Sequence, residues 1–100
     1  MIITDRNGVK IKNNDLLFRE ESAYDSKGVL PYKKVFFCKV IESNNELYLV
    51  DCDKDGNYNK NQLQNEINIG SIKERHEGSY LWKKCLATNR YPIDFTIISN

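Results

Sequence analysis

The sequence predicts a single, mainly β domain spanning residues 1–100, and three observations carry that expectation. Short stretches alternate apolar and polar side chains with the period of two that suits a half-buried strand. Asn, Asp and Gly clusters punctuate these stretches at the short intervals common in small β folds. One segment, residues 32–53, holds two dense apolar runs across a short polar turn, with apolar side chains on both faces of both arms. A strand pair of that kind is covered on both sides or curled into a barrel. The reading is an SH3-like or related partly open β-barrel, with one short helix around residues 61–69.

Taken in order, Ile2-Ile3 opens the chain and Thr4-Asp5-Arg6-Asn7-Gly8 follows it. Asn-Gly predicts a tight hairpin of type I′, since both residues accept positive φ. Val9 and Ile11 alternate with Lys10 and Lys12 and predict a strand, which Asn13-Asn14-Asp15 breaks. Leu16-Leu17-Phe18 reads as the next strand, ending in the solvated run Arg19-Glu20-Glu21-Ser22. Asp25-Ser26-Lys27-Gly28 is a further turn signal, and Pro31, lacking an amide hydrogen, belongs at a strand start, an edge or a bulge.

The dominant hairpin comes next, turning at Ser43-Asn44-Asn45. Phe36, Cys38 and Val40 share one face of its first arm, and Leu47 and Leu49 oppose Tyr48 and Val50 in the second. Leu63 and Ile67 lie four apart ahead of Gly70, which suits a short helix with a glycine stop; a polar loop is the competing reading. Residues 72–78 read as a charged connector, residues 80–86 as a strand and residues 88–92 as a turn. Ile93-Asp94-Phe95-Thr96-Ile97-Ile98 alternates and predicts a closing strand, whose edge could pair two copies into a homodimer.

Composition narrows the function classes. The net charge is +1, so no global field favours nucleic acid or an anionic membrane. No apolar run approaches the ~20 residues that span a bilayer, and the first residues lack a signal-peptide pattern. The three cysteines, Cys38, Cys52 and Cys85, form no CxxC pair and suit a reducing, cytoplasmic setting.

Three constellations invite a chemical reading. Asp51-x-Asp53-x-Asp55-Gly56 spaces carboxylates as a calcium loop does, with Asn57 and Asn59 further on. Its twelfth position is Gln62, where a bidentate Glu is needed, so the competing reading is a turn. His76 is the only histidine, and pairing it with Cys38 or Cys85 as a nucleophile has no local support. Trp82, Lys83 and Lys84, with Arg90 and Tyr91, interleave bases and aromatics as single-strand-binding barrels do, as does Tyr32-Lys33-Lys34. Lysines guarding an edge strand are the plainer explanation. No phosphate-binding, hydrolase or zinc-protease motif is present, so the sequence reads as non-enzymatic and without a cofactor.

Residues 4–17, Thr-Asp-Arg-Asn-Gly-Val-Lys-Ile-Lys-Asn-Asn-Asp-Leu-Leu, resemble the D-K-N-G-x-x-I-x-x-G-D-I-V run that opens YopX-like proteins of phages and prophages. Ile69-Gly70-Ser71-Ile72-Lys73-Glu74 is similar to that family's I-G-N-I-Y-E. Asn14 stands where the family has Gly, and the residues after Tyr80 have no counterpart. The resemblance implies a β-rich fold of phage or mobile-element origin and carries over no catalytic residue. The functional expectation is a small non-enzymatic binding module acting on a host or phage protein, as inhibitor or modulator. A nucleic-acid-binding barrel is the alternative.

Overall fold

The longest strand forms where β-branched and aromatic residues are densest. In a computed structural model that describes residues 2–24, 28, 31–77 and 90–98, β3 (Pro31–Ser43) lies between β2 (Leu16–Tyr24) and β4 (Glu46–Cys52). All neighbours in the sheet β4-β3-β2-β6 are antiparallel, β6 being only Thr96–Ile97. A second sheet pairs β1 (Ile2–Thr4) in parallel with β5 (Arg90–Pro92). Two helices, α1 (Lys60–Ile69) and α2 (Ile72–His76), follow β4 and pack against it. The fold is mainly β, and among the described residues its sheets do not close into a barrel. No helix among those residues is long and apolar enough to cross a membrane.

The β3–β4 turn forms as its sequence requires. Asn44 and Asn45 have φ of 51° and 65°, the two positive values of a type I′ turn, and Ser43 pairs with Glu46 across it. Val40 and Val50 are both fully buried although they lie on opposite faces of the pair, so this part of the sheet is covered on both sides. The main cluster gathers Leu17, Val40, Ile11, Ile72, Tyr91 and Ile93. Burying each of its large side chains is worth roughly 1.5–3 kcal/mol, which makes it the chief source of stability.

Several expectations change. The strand expected after Asn7-Gly8 reduces to an isolated bridge between Thr4 and Lys10, because Ile11 enters the core while Val9 stays in solvent. The run Arg19-Glu20-Glu21-Ser22 is no strand end: β2 continues to Tyr24, held by its register with β3. The connector at residues 72–78 contains α2, started by a capping box in which Ser71 Oγ accepts from Glu74 N–H and the Glu74 carboxylate accepts from Ser71 N–H. Residues 90–92, read as a turn, form β5, and Ile93 N–H donating to Thr4 C=O extends that alignment. The closing strand shortens to β6, since Ile93 turns into the core.

Other readings hold. Pro31 stands at the start of β3, and α1 begins at Lys60 under an Asn59–Gln62 capping box and stops at Gly70, whose φ is 126°. The turn at residues 25–28 lies mostly outside the described residues, as do Cys85, the strand at 80–86, and Thr88 and Asn89.

Candidate functional site

The acidic stretch after β4 folds as a turn that has a twin at the other end of the sequence. Asp53 N–H donates to Asn57 C=O (3.1 Å) and Gly56 N–H to Asp53 C=O (3.0 Å), while Asp53 Oδ1 accepts from Asp55 N–H and Asn57 N–H, both at 2.9 Å. In Asp5-Arg6-Asn7-Gly8-Val9 the same four bonds recur, at 2.7, 3.0, 2.9 and 2.8 Å. Both stretches read Asp-x-(Asn or Asp)-Gly, and the glycines take φ of 83° and 85°. Only the glycine of Asn7-Gly8 is left-handed, so this hairpin is a turn with a glycine bulge and not the expected type I′.

The groups on which the calcium reading rests are engaged elsewhere in this structure. The Asp53 carboxylate is engaged by its own backbone and by Asn57 Nδ2 (3.2 Å), and those bonds hold it below the ordinary carboxylate range. Asp51 accepts the Cys38 thiol at 3.5 Å, and Gln62 belongs to the α1 cap. Among the described residues no three His, Cys, Asp or Glu side chains converge on one point, so Asp51, Asp53 and Asp55 form no cluster.

The proposed nucleic-acid residues divide. Trp82, Lys83 and Lys84 lie outside the described residues. Arg90 is exposed, but Tyr91 is only 1% exposed in the core, so its ring offers no face on which a base could stack. Tyr91 instead packs against His76, ring centroids 5.1 Å apart.

Of the two thiols in the Cys–His reading, Cys85 lies outside the described residues and Cys38 is held protonated. Burial, then the neighbouring Asp51 charge and hydrogen bond, push the Cys38 thiol up to about 12, so it is protonated at neutral pH. Burial lowers His76, with Arg75 adding to the effect. Cys38 and Cys52 are free thiols.

What the fold does present is an arm. β4 pairs with β3 only from Phe37 to Ser43, and β6 meets β2 only at Leu17 and Phe18. From Arg19↔Phe36 to Tyr24↔Pro31 the two strands pair with each other and, among the described residues, with no third strand. Tyr32 (45%), Val35 (45%) and Phe36 (38%) are exposed there, an apolar content unlike that of an ordinary solvated ribbon. The radius of gyration, 14.7 Å, exceeds the roughly 13 Å of a rounded 100-residue domain.

At the root of the arm Arg19 lies between two rings, its Cζ 5.1 Å from the Phe36 centroid and 5.5 Å from that of Phe95. Its Nε is buried and has no hydrogen-bond acceptor among the described residues. Arg19 and Glu21 approach to 3.7 Å and Lys33 and Glu20 to 3.6 Å, so much of the arm's charge is matched locally. Beside Arg19 a notch of about 260 Å³ opens where β6 begins, lined by Arg6, Phe18, Glu20, Asp94 and Phe95. The sequence does not single out this arm or notch, because Arg19-Glu20-Glu21-Ser22 reads there as the solvated end of its strand.

Comparison with protein-family models, with curated proteins and with solved structures finds no match to this chain.

Proposed function

We propose that the protein is a non-enzymatic binding module that acts on another protein, and that the β2–β3 arm is the surface it uses. The observation that carries this reading is the exposure of Tyr32, Val35 and Phe36 on a strand pair that has no third partner among the described residues. Aromatic side chains at such positions supply contact area at small entropic cost. The resemblance of residues 4–17 to YopX-like proteins supports a phage or mobile-element setting, with a host or phage protein as the target and inhibition or modulation as the effect. In the same reading the sheet and the β1–β5 pair form a partly open, SH3-like barrel, and the protein works in the cytoplasm.

Tyr32→Ser, Val35→Ser and Phe36→Ser combined provide the test, because all three side chains are already exposed and the core is untouched. Wild type captures a defined protein from host or phage-infected lysate, and the triple variant loses it while melting like wild type. A partner held equally by both proteins contradicts the reading.

The alternative is a nucleic-acid-binding module, which the exposed Tyr32, Lys33 and Lys34 favour, the Lys34 ammonium lying 5.9 Å from the Tyr32 centroid. A gel shift at low salt separates the two: a retarded single-stranded probe, released by salt and lost on Lys33→Ala with Lys34→Ala, supports nucleic acid.

A further inference from the structure

We infer that the open edge of β2 takes up the extended, basic C-terminal tail of a partner protein, whose terminal carboxylate sits in the notch beside Arg6 and Arg19. This deepens the protein-binding reading and rests on it.

Strand alternation fixes which backbone groups of β2 face outward. Val40 N–H donates to Asp15 C=O, which directs the even-numbered residues of β3 toward β2. On the other side of β2, Ile98 N–H donates to Leu16 C=O, which places the even-numbered groups of β2 outward. The amides and carbonyls of Glu20 and Ser22 therefore point away from β3, along an edge that no described strand covers. Both residues are exposed. A backbone edge of this kind is a template for an added strand.

Direction and chemistry follow from what stands at the end of that edge. β6 is antiparallel to β2 and starts at Thr96 opposite Phe18. A strand added antiparallel to Glu20 and Ser22 runs toward that start and ends in the notch, because Phe95 C=O has turned away to accept Arg6 N–H. Two guanidinium groups stand there. Arg6 is exposed and 4.0 Å from Asp94, and Arg19 is half-buried and 3.7 Å from Glu21, its Nε having no acceptor among the described residues. Guanidinium groups favour carboxylates through paired N–H donors. Glu20, which also stands in the notch wall, and Glu21 are exposed along the edge, and their contacts to Lys33 (3.6 Å) and Arg19 (3.7 Å) are solvent-facing pairs that Lys or Arg of an incoming tail can replace. The mixed charge of the site thus matches a tail that is basic along its length and anionic at its end.

The test uses the whole protein and a pool of random-sequence heptapeptides made in two forms, with a free C-terminal carboxylate and with a carboxamide. Wild type is expected to enrich free-acid peptides with Lys or Arg near the end, and the amides should bind about tenfold more weakly, as loss of a charged hydrogen-bond partner implies. Arg6→Gln, at an exposed side chain, should remove the difference between the two forms. Ser22→Pro removes an outward N–H without touching the β2–β3 ladder and should abolish binding of both forms, with the thermal melt as its folding control. Equal binding of acid and amide by wild type overturns the inference, as does enrichment of neither pool. If no peptide binds while capture of a protein still depends on Tyr32, Val35 and Phe36, only the inference has failed. If capture is independent of those residues, the binding reading has failed with it.

Discussion

Asp5 shows how much one carboxylate can organise. It is 1% exposed, its Oδ1 accepts from Asn7 and Val9 N–H, and its Oδ2 accepts from Ile97 N–H (3.1 Å). One side chain thus closes the first turn and fastens β6 to it. Asp5→Asn sets an amide donor against a buried N–H, and should lower stability by about 2–3 kcal/mol in urea denaturation. Asp53→Asn, the same change in the exposed twin turn, should cost clearly less. The letters of both turns were legible in the sequence. Their common geometry was not, because Asp-x-Asn-Gly and Asp-x-Asp-Gly also fit a type I′ hairpin and a calcium loop. Only the hydrogen bonds decide among the three.

Cys38 gives a second test at this scale. Its pKa in the folded chain is raised from 9.0 to about 12, so below pH 9 the thiol is protonated in both folded and unfolded chains and its contribution to stability is fully present. Between pH 9 and 12 the unfolded chain ionises first, and that contribution is lost. Thermal melts across this window should fall with pH, and Cys38→Ala should fall less steeply. Equal slopes would show that the thiol is not held protonated.

Elements were legible where their ends carry a chemical mark. α1 was placed to within a residue of its start because Leu63 and Ile67 define a face and Gly70 a stop. Its cap is reciprocal, Asn59 Oδ1 accepting from Gln62 N–H and Gln62 Oε1 from Asn59 N–H, both at 2.8 Å. Asn59→Ala should therefore cost about 1 kcal/mol, measured by chemical denaturation. α2 escaped notice because five residues are too few to show a period, although Ser71 and Glu74 already spelled its capping box. The helices are tied together by the Arg75–Glu66 ion pair, a contact between residues nine apart that no local pattern reveals.

For the molecule as a whole, the doubly apolar hairpin was readable and its middle is the covered centre of the sheet. What composition could not say is which part of β3 finds cover. β3 has 13 residues and β4 only 7, so the stretch before Phe37 outruns its neighbour and Val35 and Phe36 remain in solvent. Strand length, set by where the partners end, converts an apparent core segment into a surface. Because β6 reaches only Phe18, it also leaves the edge of β2 beyond that residue without a further strand among the described residues.

The central claim is that this arm meets a protein partner. Amide hydrogen exchange with and without a captured partner tests it most directly, because outward N–H groups on a strand edge gain protection only when something bonds to them. Slowed exchange is expected at Glu20 and Ser22, with Phe37 to Ser43 unchanged. Protection confined to residues outside β2 and β3, with Glu20 and Ser22 exchanging as in the unbound protein, would contradict it.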